Sequence, residues 1–377
     1  MTQGAELKVN LHQLLKAMVE KGASDMHITA AAPPLLRIDG EVIPLKLPPL
    51  TPVDTKQLCY SIMTEEQKIH FEKESELDLS FGVKNLSRFR ANIFLQRGAV
   101  AGAIRTIPFK ILSFDDLGLP TVIAEIANKP SGLVLVTGPT GSGKSTTLAS
   151  IIDKINSEQR VHILTIEDPI EYLHQHKKSI VNQREVGLDT HSFHNALKNA
   201  MREAPDVILI GEILDATTME AAIAFAETGH ICLATLHSNN ADQTIERILN
   251  FFPEAAHKNI LMNLALNLRA VVSQRLVKDV QGRRIPATEV LINTPMIRDL
   301  LRRGQVHEIK QAMEESLEEG IESFDQCLFR LAKDGRITQD EALRAADSQD
   351  GLALKFRLSE GSSSEHDPYA SVFDPNG

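Results

Sequence analysis

The stretch Gly138-Pro-Thr-Gly-Ser-Gly-Lys-Ser145 constrains this chain more than any other. It fits the pattern G-x-x-x-x-G-K-[ST], and its context carries as much weight as its letters. Before it, Leu133–Val136 is a short apolar strand; after it, Leu148, Ile151, Ile152 and Ile155 fall on one helical face. A strand passing through a glycine-rich bend into a helix turns backbone N–H groups into a concave nest, which glycine permits because it lacks a Cβ. The following helix adds its positive N-terminal end. The bend therefore reads as a cradle for the phosphates of ATP, formed by Gly138, Pro139, Thr140, Gly141, Ser142, Gly143, Lys144, Ser145 and Thr146. In such a cradle the lysine, Lys144, reaches the β- and γ-phosphates, and the Ser145 hydroxyl binds Mg²⁺.

The surrounding pattern agrees. From about Pro120 strands alternate with amphipathic helices, the signature of a mostly parallel sheet with crossover helices. Val161–Ile166, Val207–Ile210 and Ile231–Ala234 read as further buried strands, and a helix over Thr217–Thr228 ends at Gly229. Beyond residue 254 the chain reads as largely helical. One stripe is Leu261, Leu264, Ala265, Leu268 and Val272; a second is Ile309, Ala312, Met313 and Leu317; a third is Ile321, Phe324 and Leu328. Stripes of this kind build cores more often than sites.

The first hundred residues differ, reading as a small α+β unit. Leu11, Leu14, Leu15 and Val19 have helical spacing, and Gly22 ends that run. Short strands at Leu36–Ile38 and Val42–Leu45 meet at Asp39-Gly40, a hairpin dipeptide. Pro44, Pro48, Pro49 and Pro52 precede a helix near Val53–Met63, and Arg88–Ile107 is strand-like until Pro108 closes it. At roughly 150 residues per domain the 377-residue chain holds two or three domains. The expected division is an N-terminal domain over 1–107, a linker over 108–118, an ATPase domain with C-terminal helices over 119–358, and a disordered tail over 359–377 rich in Ser, Glu, Asp, Gly and Pro.

Composition narrows the function classes. A formal net charge of −10 argues against a protein that coats DNA, so no nucleic acid partner is expected. No run of about 18 apolar residues occurs, and the N-terminus lacks the apolar core of a secretory signal. Cys59, Cys232 and Cys327 stand alone, without a C-x-x-C pair, which excludes a disulfide framework and a four-cysteine zinc site. Together these features point to the cytoplasm.

Several further residues are candidates for chemistry. Glu212, with Gly211, follows the strand Val207–Ile210, where a carboxylate can hold Mg²⁺ directly or through water. Glu167, Asp168 and Glu171 crowd the end of Val161–Ile166, placed to present one carboxylate to an attacking water or to form a solvated acidic turn. His230 and His237 flank Ile231–Ala234, as sensors of the γ-phosphate or as hydrogen-bonded structural histidines. The pairs His174/His176 and His191/His194 lack a supporting carboxylate geometry for metal. Arg88, Arg90, Arg97 and Arg105 lie in the other domain, where arginines are commonly solvated but can also cross a subunit interface to offset phosphate charge.

Taken together the motifs resemble the type IV pilus retraction ATPases, of PilT and PilU type, within the secretion ATPases. The resemblance covers about residues 7–350. It rests on GASDMHITAAAPPLLRIDGEVIPL (22–45), GPTGSGKSTT, TIEDPIEYLHQH, NQREVGLDT, APDVILIGE and AFAETGHICLATLHSNNA, which occur in family order. REVGLDT (184–190), AFAETGH (224–230), LNFFPE (249–254) and the extended tail lean toward PilU.

The resemblance implies an α/β chain: a PAS-like N-terminal domain, a RecA-like P-loop domain and a helical C-terminal region, with six copies in a ring. It makes Glu171 the water-activating carboxylate, Glu212 the second acidic site, His230 and His237 a histidine box, and Arg90 and Arg105 the arginines that approach nucleotide. Met296–Leu301 falls where the family carries a helix needed for retraction. The implied partners are a homo-hexamer, a paralogous retraction ATPase and an inner-membrane platform protein at the pilus base, where the chain would sit peripherally. One departure stands out: Leu214 occupies the arginine position of the family's G-E-[IM]-R. The rival readings are a pilus assembly or secretion ATPase, an accessory subunit dependent on a partner motor, and a nucleic-acid translocase. The first usually has an extra N-terminal domain and often a cysteine cluster; the last needs a basic track.

Overall fold

The computed structural model describes residues 10–361, apart from 39, 85, 108–110, 127 and 317. Two compact units emerge: one comprises the chain up to Lys110 together with Glu171–Leu173, the other Ile111–Ile170 and His174 onward.

The N-terminal unit runs α1 (Leu11–Glu20), β1 (Asp25–Ile28), β2 (Leu35–Ile38), β3 (Glu41–Pro44), α2 (Pro52–Tyr60), α3 (Glu65–Glu74), β4 (Glu76–Val83), β5 (Ser87–Gln96) and β6 (Ala99–Ile107). Its six strands form an antiparallel sheet in the order β3-β2-β1-β6-β5-β4. Capping boxes open all three helices, at Asn10, Thr51 and Thr64, each satisfying two otherwise orphaned groups. Leu11, Leu14, Leu15 and Met18 of α1 are buried in a core with Phe89, Ala91 and Ile93 of β5. The strand-like stretch 88–107 is two strands, β5 and β6, turning at Arg97-Gly98, both with positive φ. Asp39 of the expected hairpin dipeptide and Pro108 lie outside the described residues.

The second unit begins with α4 (Phe114–Leu117) and α5 (Thr121–Ile126). The first is a short helix inside the stretch read as linker, capped by Ser113 and Asp116. Then follow β7 (Gly132–Thr137), α6 (Lys144–Glu158), β8 (His162–Glu167), β9 (Ile180–Glu185), α7 (Phe193–Ala200), β10 (Val207–Ile210), α8 (Ala216–Glu227), β11 (Ile231–Leu236), α9 (Ala241–Leu249) and α10 (Glu254–Asn267). After these come β12 (Leu268–Lys278), β13 (Arg284–Ile292), α11 (Pro295–Arg303), α12 (Ile309–Glu314), α13 (Phe324–Lys333), α14 (Gln339–Ala345) and α15 (Gln349–Gly361).

The sheet order is β13-β12-β7-β11-β10-β8-β9, parallel except for β13. Both faces are covered, which explains the unbroken apolar strands. Leu133 and Leu135 pack with Ile208 and Ile210 toward α7, α8 and α10, whereas Val134 and Val136 pack with Leu209 toward α5 and α6.

The C-terminal region corrects the sequence reading. Leu268 and Val272 do not continue the helical stripe of Leu261, Leu264 and Ala265, because the chain turns extended at Leu268. Val271 joins one core and Val272 the other, as the alternation of a strand demands. The apparent helical spacing was a coincidence of two adjoining elements. The second stripe forms α12, with Leu317 outside the described residues, and Ile321 precedes α13 rather than belonging to it. Residues 359–361 finish α15 instead of opening a tail, and 362–377 lie outside the described residues. Cys59, Cys232 and Cys327 are free and buried. Burial pushes the Cys59 thiol up to about 12. Among the described residues no helix is long and apolar enough to cross a membrane.

Candidate functional site

In a parallel sheet of this kind ligands bind beyond the carboxyl ends of the strands. Here β7 ends in the glycine-rich bend, β10 in Gly211-Glu212 and β11 in His237. The geometry of the bend is set by close packing against β12. Gly138 has φ +143 and Gly143 has φ +92, and a Cβ at Gly143 would meet Gln274 Nε2 at 2.7 Å. Gln274, buried on β12, donates to the Ser142 carbonyl at 2.8 Å and accepts from the Thr147 hydroxyl at 2.7 Å. It fastens the bend to the helix behind it. Sequence reasoning did not find Gln274, because its partners lie more than a hundred residues upstream.

Lys144 opens α6 and is buried. Its ammonium donates to Gly138 O at 2.9 Å and Pro139 O at 3.1 Å, and lies 3.4 Å from His237 Nδ1. His237 Nε2 in turn meets Glu212 Oε1 at 2.8 Å. Lysine, imidazole and carboxylate thus form a chain across the mouth of the bend. Burial lowers the Lys144 pKa, partly opposed by the negative charge of Glu212. An added anion would relieve the cost of that buried charge.

The loop bearing Glu212 is held on both sides. Gly211 N donates to Ile166 O at 2.8 Å, and the Thr235 hydroxyl donates to Gly211 O at 2.6 Å. A side chain at Gly211 would sit 3.1 Å from Glu167 Cα and 3.2 Å from Ile166 O, so glycine lets the loop pass this close to β8 without displacing its backbone. Glu167, also at a strand end, is buried and accepts from Thr165 and Gln183, at 2.7 and 3.2 Å.

The other candidates fall elsewhere. His230 precedes β11 while His237 follows it, so about 20 Å of strand separates them. His230 does not join the chain across the bend. Its Nδ1 lies 3.0 Å from the Thr228 hydroxyl and 3.1 Å from Phe225 O, at the end of α8. His174 is partly buried with a pKa lowered to about 4, chiefly by burial, and His176 Nδ1 accepts from Val181 N. The His176 ring thus ties the loop to β9. Glu171 is exposed and groups with the N-terminal unit.

Within that unit Arg90 and Arg105 are direct cross-strand partners, and Asp25 pairs with both Arg105 and Arg37. Arg105 Nε meets Asp25 Oδ1 at 2.8 Å, and Arg37 Nε meets Oδ2 at 3.5 Å. Burial opposes the charge of Asp25, but hydrogen bonds from Arg105 and Ser24 and the nearby guanidinium charges hold its pKa down. The row carries three arginines against one aspartate.

The residues present suit a magnesium nucleotide. The Ser142 hydroxyl is buried without a hydrogen-bond partner in the bend, and the lysine's contacts there are to carbonyls that a phosphate can replace. Ser145 lies exposed on the first turn of α6. Among the described residues no group of three or more His, Cys, Asp or Glu side chains is arranged to hold a metal. A cation here would draw on Ser145, on Glu212 and on the nucleotide itself.

Residues 2–322 match the family model for type II/IV secretion system proteins. The chain belongs to this family. Within it the sequence is 47% identical to the type IV pilus ATPase PilU of Pseudomonas aeruginosa over 360 residues, 95% of this chain and 94% of that protein. It is 43% identical over 338 residues to the retraction ATPase PilT of the same organism, covering 90% and 98%. The fold superposes with a TM-score of 0.87 on a crystal structure of the pilus retraction motor PilT with bound ADP, at 46% identity and 92% and 100% coverage. The Legionella pneumophila ATPase DotB gives a TM-score of 0.74 at 26% identity, covering 91% and 96%. The family likeness extends to the PilT/PilU type of pilus ATPase, and with it comes the RecA-like fold of the second unit.

Proposed function

We propose that this PilT/PilU-like ATPase hydrolyses ATP to ADP and phosphate to drive or assist type IV pilus retraction. The single observation that carries the reading is the Lys144–His237–Glu212 chain over the glycine-rich bend. It supports the reading because it brings together a cation, an imidazole and a carboxylate, the groups that a γ-phosphate and its metal would call on.

In this reading Lys144 exchanges its carbonyl contacts for β- and γ-phosphate oxygens, and backbone N–H groups of Gly141–Thr146 hold the rest of the phosphate chain. Mg²⁺, when bound through Ser145 and, directly or through water, Glu212, supplies positive charge to the phosphate oxygens. His237, freed from Lys144 but still tied to Glu212, faces the transferred phosphate. Glu171 is the carboxylate that orients water, and Arg90 and Arg105 approach the nucleotide of a neighbouring copy in a hexameric ring. Positioning and charge neutralisation supply the catalysis, because phosphoryl transfer asks little covalent chemistry of the protein. The ring would work peripherally at the inner membrane, handing force to a platform protein at the pilus base, alongside a paralogous motor.

The test is phosphate release by purified protein beside a Lys144→Ala control. Release by the parent at least a hundredfold above the variant supports the reading. Equal release from both rejects it. Release that appears only when a second retraction ATPase is added would make this chain an accessory subunit.

A further inference from the structure

Successive residues of a strand point to opposite faces, and β12 uses both. Gln274 faces the phosphate-binding bend. Arg275 faces the C-terminal helices, where its guanidinium donates to Ala345 O at 2.8 Å, pairs with Asp347 and lies 4.0 Å over the Phe324 ring. The same guanidinium donates to Asn239 O at 3.4 Å. Asp347 is mostly buried between α14 and α15, and it also accepts from Lys310 at 3.0 Å and Asn240 Nδ2 at 3.4 Å. Asp325 pins the Asp347 and Ser348 amides at 2.8 and 3.0 Å. Glu289 of β13 accepts from Ala241 N at 2.7 Å and from Phe324 N at 3.3 Å.

Asn239, Asn240 and Ala241 are therefore each held by a residue from beyond position 274. They continue directly from His237 and Ser238. Ser238 is tied through Thr244 to Thr137, the last residue of β7. The backbone leaving His237 thus has its outer anchors in the C-terminal region and its inner anchor beside the bend.

We propose that the Arg275–Asp347 pair is a positioning device for ATP hydrolysis. It fixes the loop 237–241 so that His237 stands between Lys144 and Glu212, and it gives the C-terminal helices control over turnover without any contact to nucleotide. Neither residue is catalytic; both act through His237. Arginine suits the position because one planar fork serves a carboxylate and two carbonyls, which the single ammonium of lysine cannot do. Asp347 lies at the α14–α15 junction, so a displacement of those helices reaches the loop through Asp347, by way of both Arg275 and Asn240.

This inference rests on the reading of the site as one that hydrolyses ATP, and the experiment separates the two. Arg275→Ala, Arg275→Lys and the near-isosteric Asp347→Asn are compared in the full chain. The readouts are nucleotide affinity, kcat, thermal unfolding, and hydrogen–deuterium exchange with and without Mg-ADP. The expected result is a kcat about tenfold lower for Arg275→Ala, affinity within about twofold, and partial recovery in Arg275→Lys. Exchange should quicken at 237–241 and stay unchanged at 138–147. Adding Arg275→Ala to His237→Ala should lower kcat by less than about twofold more, because both changes remove one function.

Additive losses in the double variant, exchange that rises equally at both segments, or exchange at 237–241 that does not change in Asp347→Asn would each overturn the proposal. A parent protein without turnover would reject the functional reading, while the exchange measurement still decides whether the pair holds the loop.

Discussion

Replacing Gln274 by alanine tests whether the phosphate-binding bend is shaped from outside itself. The glutamine makes two buried hydrogen bonds, at 2.8 Å to the Ser142 carbonyl and 2.7 Å from the Thr147 hydroxyl. Removing it leaves both partners buried, and each orphaned group costs about 1–3 kcal/mol. The Thr147 hydroxyl can turn to a carbonyl of the preceding helical turn, so its share falls at the low end. Relaxing the Ser142 carbonyl lets the bend open. A loss of about 1.4–2.8 kcal/mol in nucleotide binding corresponds to a tenfold to hundredfold weaker Kd. Thr147→Val removes only one of the two bonds and should weaken binding less than Gln274→Ala. The assay is titration with a fluorescent ADP analogue, run beside thermal unfolding. Affinity within twofold of the parent would refute the reasoning. A lower melting temperature with unchanged affinity would show that Gln274 serves the core and not the bend.

Three other outcomes follow from the packing and charge of the site. Gly211→Ala should cost about 1–3 kcal/mol of stability, because the new methyl meets the backbone of β8 at 3.1–3.2 Å and must push Glu212 outward; chemical denaturation reads the loss, and an unchanged midpoint would contradict the contact. Leu214 is 60% exposed, so Leu214→Arg should leave stability within about 0.5 kcal/mol; the new guanidinium can pair with a carboxylate or phosphate where leucine cannot, so kcat should rise, and a turnover no higher than the parent's would refute that reasoning. Burial of Glu289 raises its pKa from 4.5 to about 7, so the folded state binds a proton more tightly than the unfolded one. Stability should therefore fall by up to about 3 kcal/mol as pH rises from 4.5 to 7, then level off. Glu289→Gln should flatten that interval in pH-dependent unfolding, and an identical slope in both proteins would assign the loss to other groups.

Much of the site was legible because the signals are local. The bend, its strand and its helix occupy one short run of chain, so a fixed spacing of Gly, Lys and Ser suffices to mark it. Glu212 was legible for the same reason, as the first carboxylate after an apolar strand. The histidines show where locality fails. His230 and His237 are equivalent in the sequence as residues flanking one strand, but a strand has two ends and only one borders the bend. Val272 shows the same limit for the fold, since a helix followed by a strand can keep helical spacing across the join.

The sequence by itself determined the chemistry at Gly138–Ser145, the alternation of strands and helices around it, and the mixed α and β character of the first hundred residues. Tertiary structure alone decided that Gln274 braces the bend, that His237 rather than His230 meets Lys144 and Glu212, and that Arg275 ties this loop to Asp347. The physical reason is the length over which each interaction acts. Glycine conformations, apolar periods and helix caps are fixed by neighbours a few residues away, whereas a hydrogen bond between β12 and a loop more than a hundred residues earlier exists only once the sheet has set their distance.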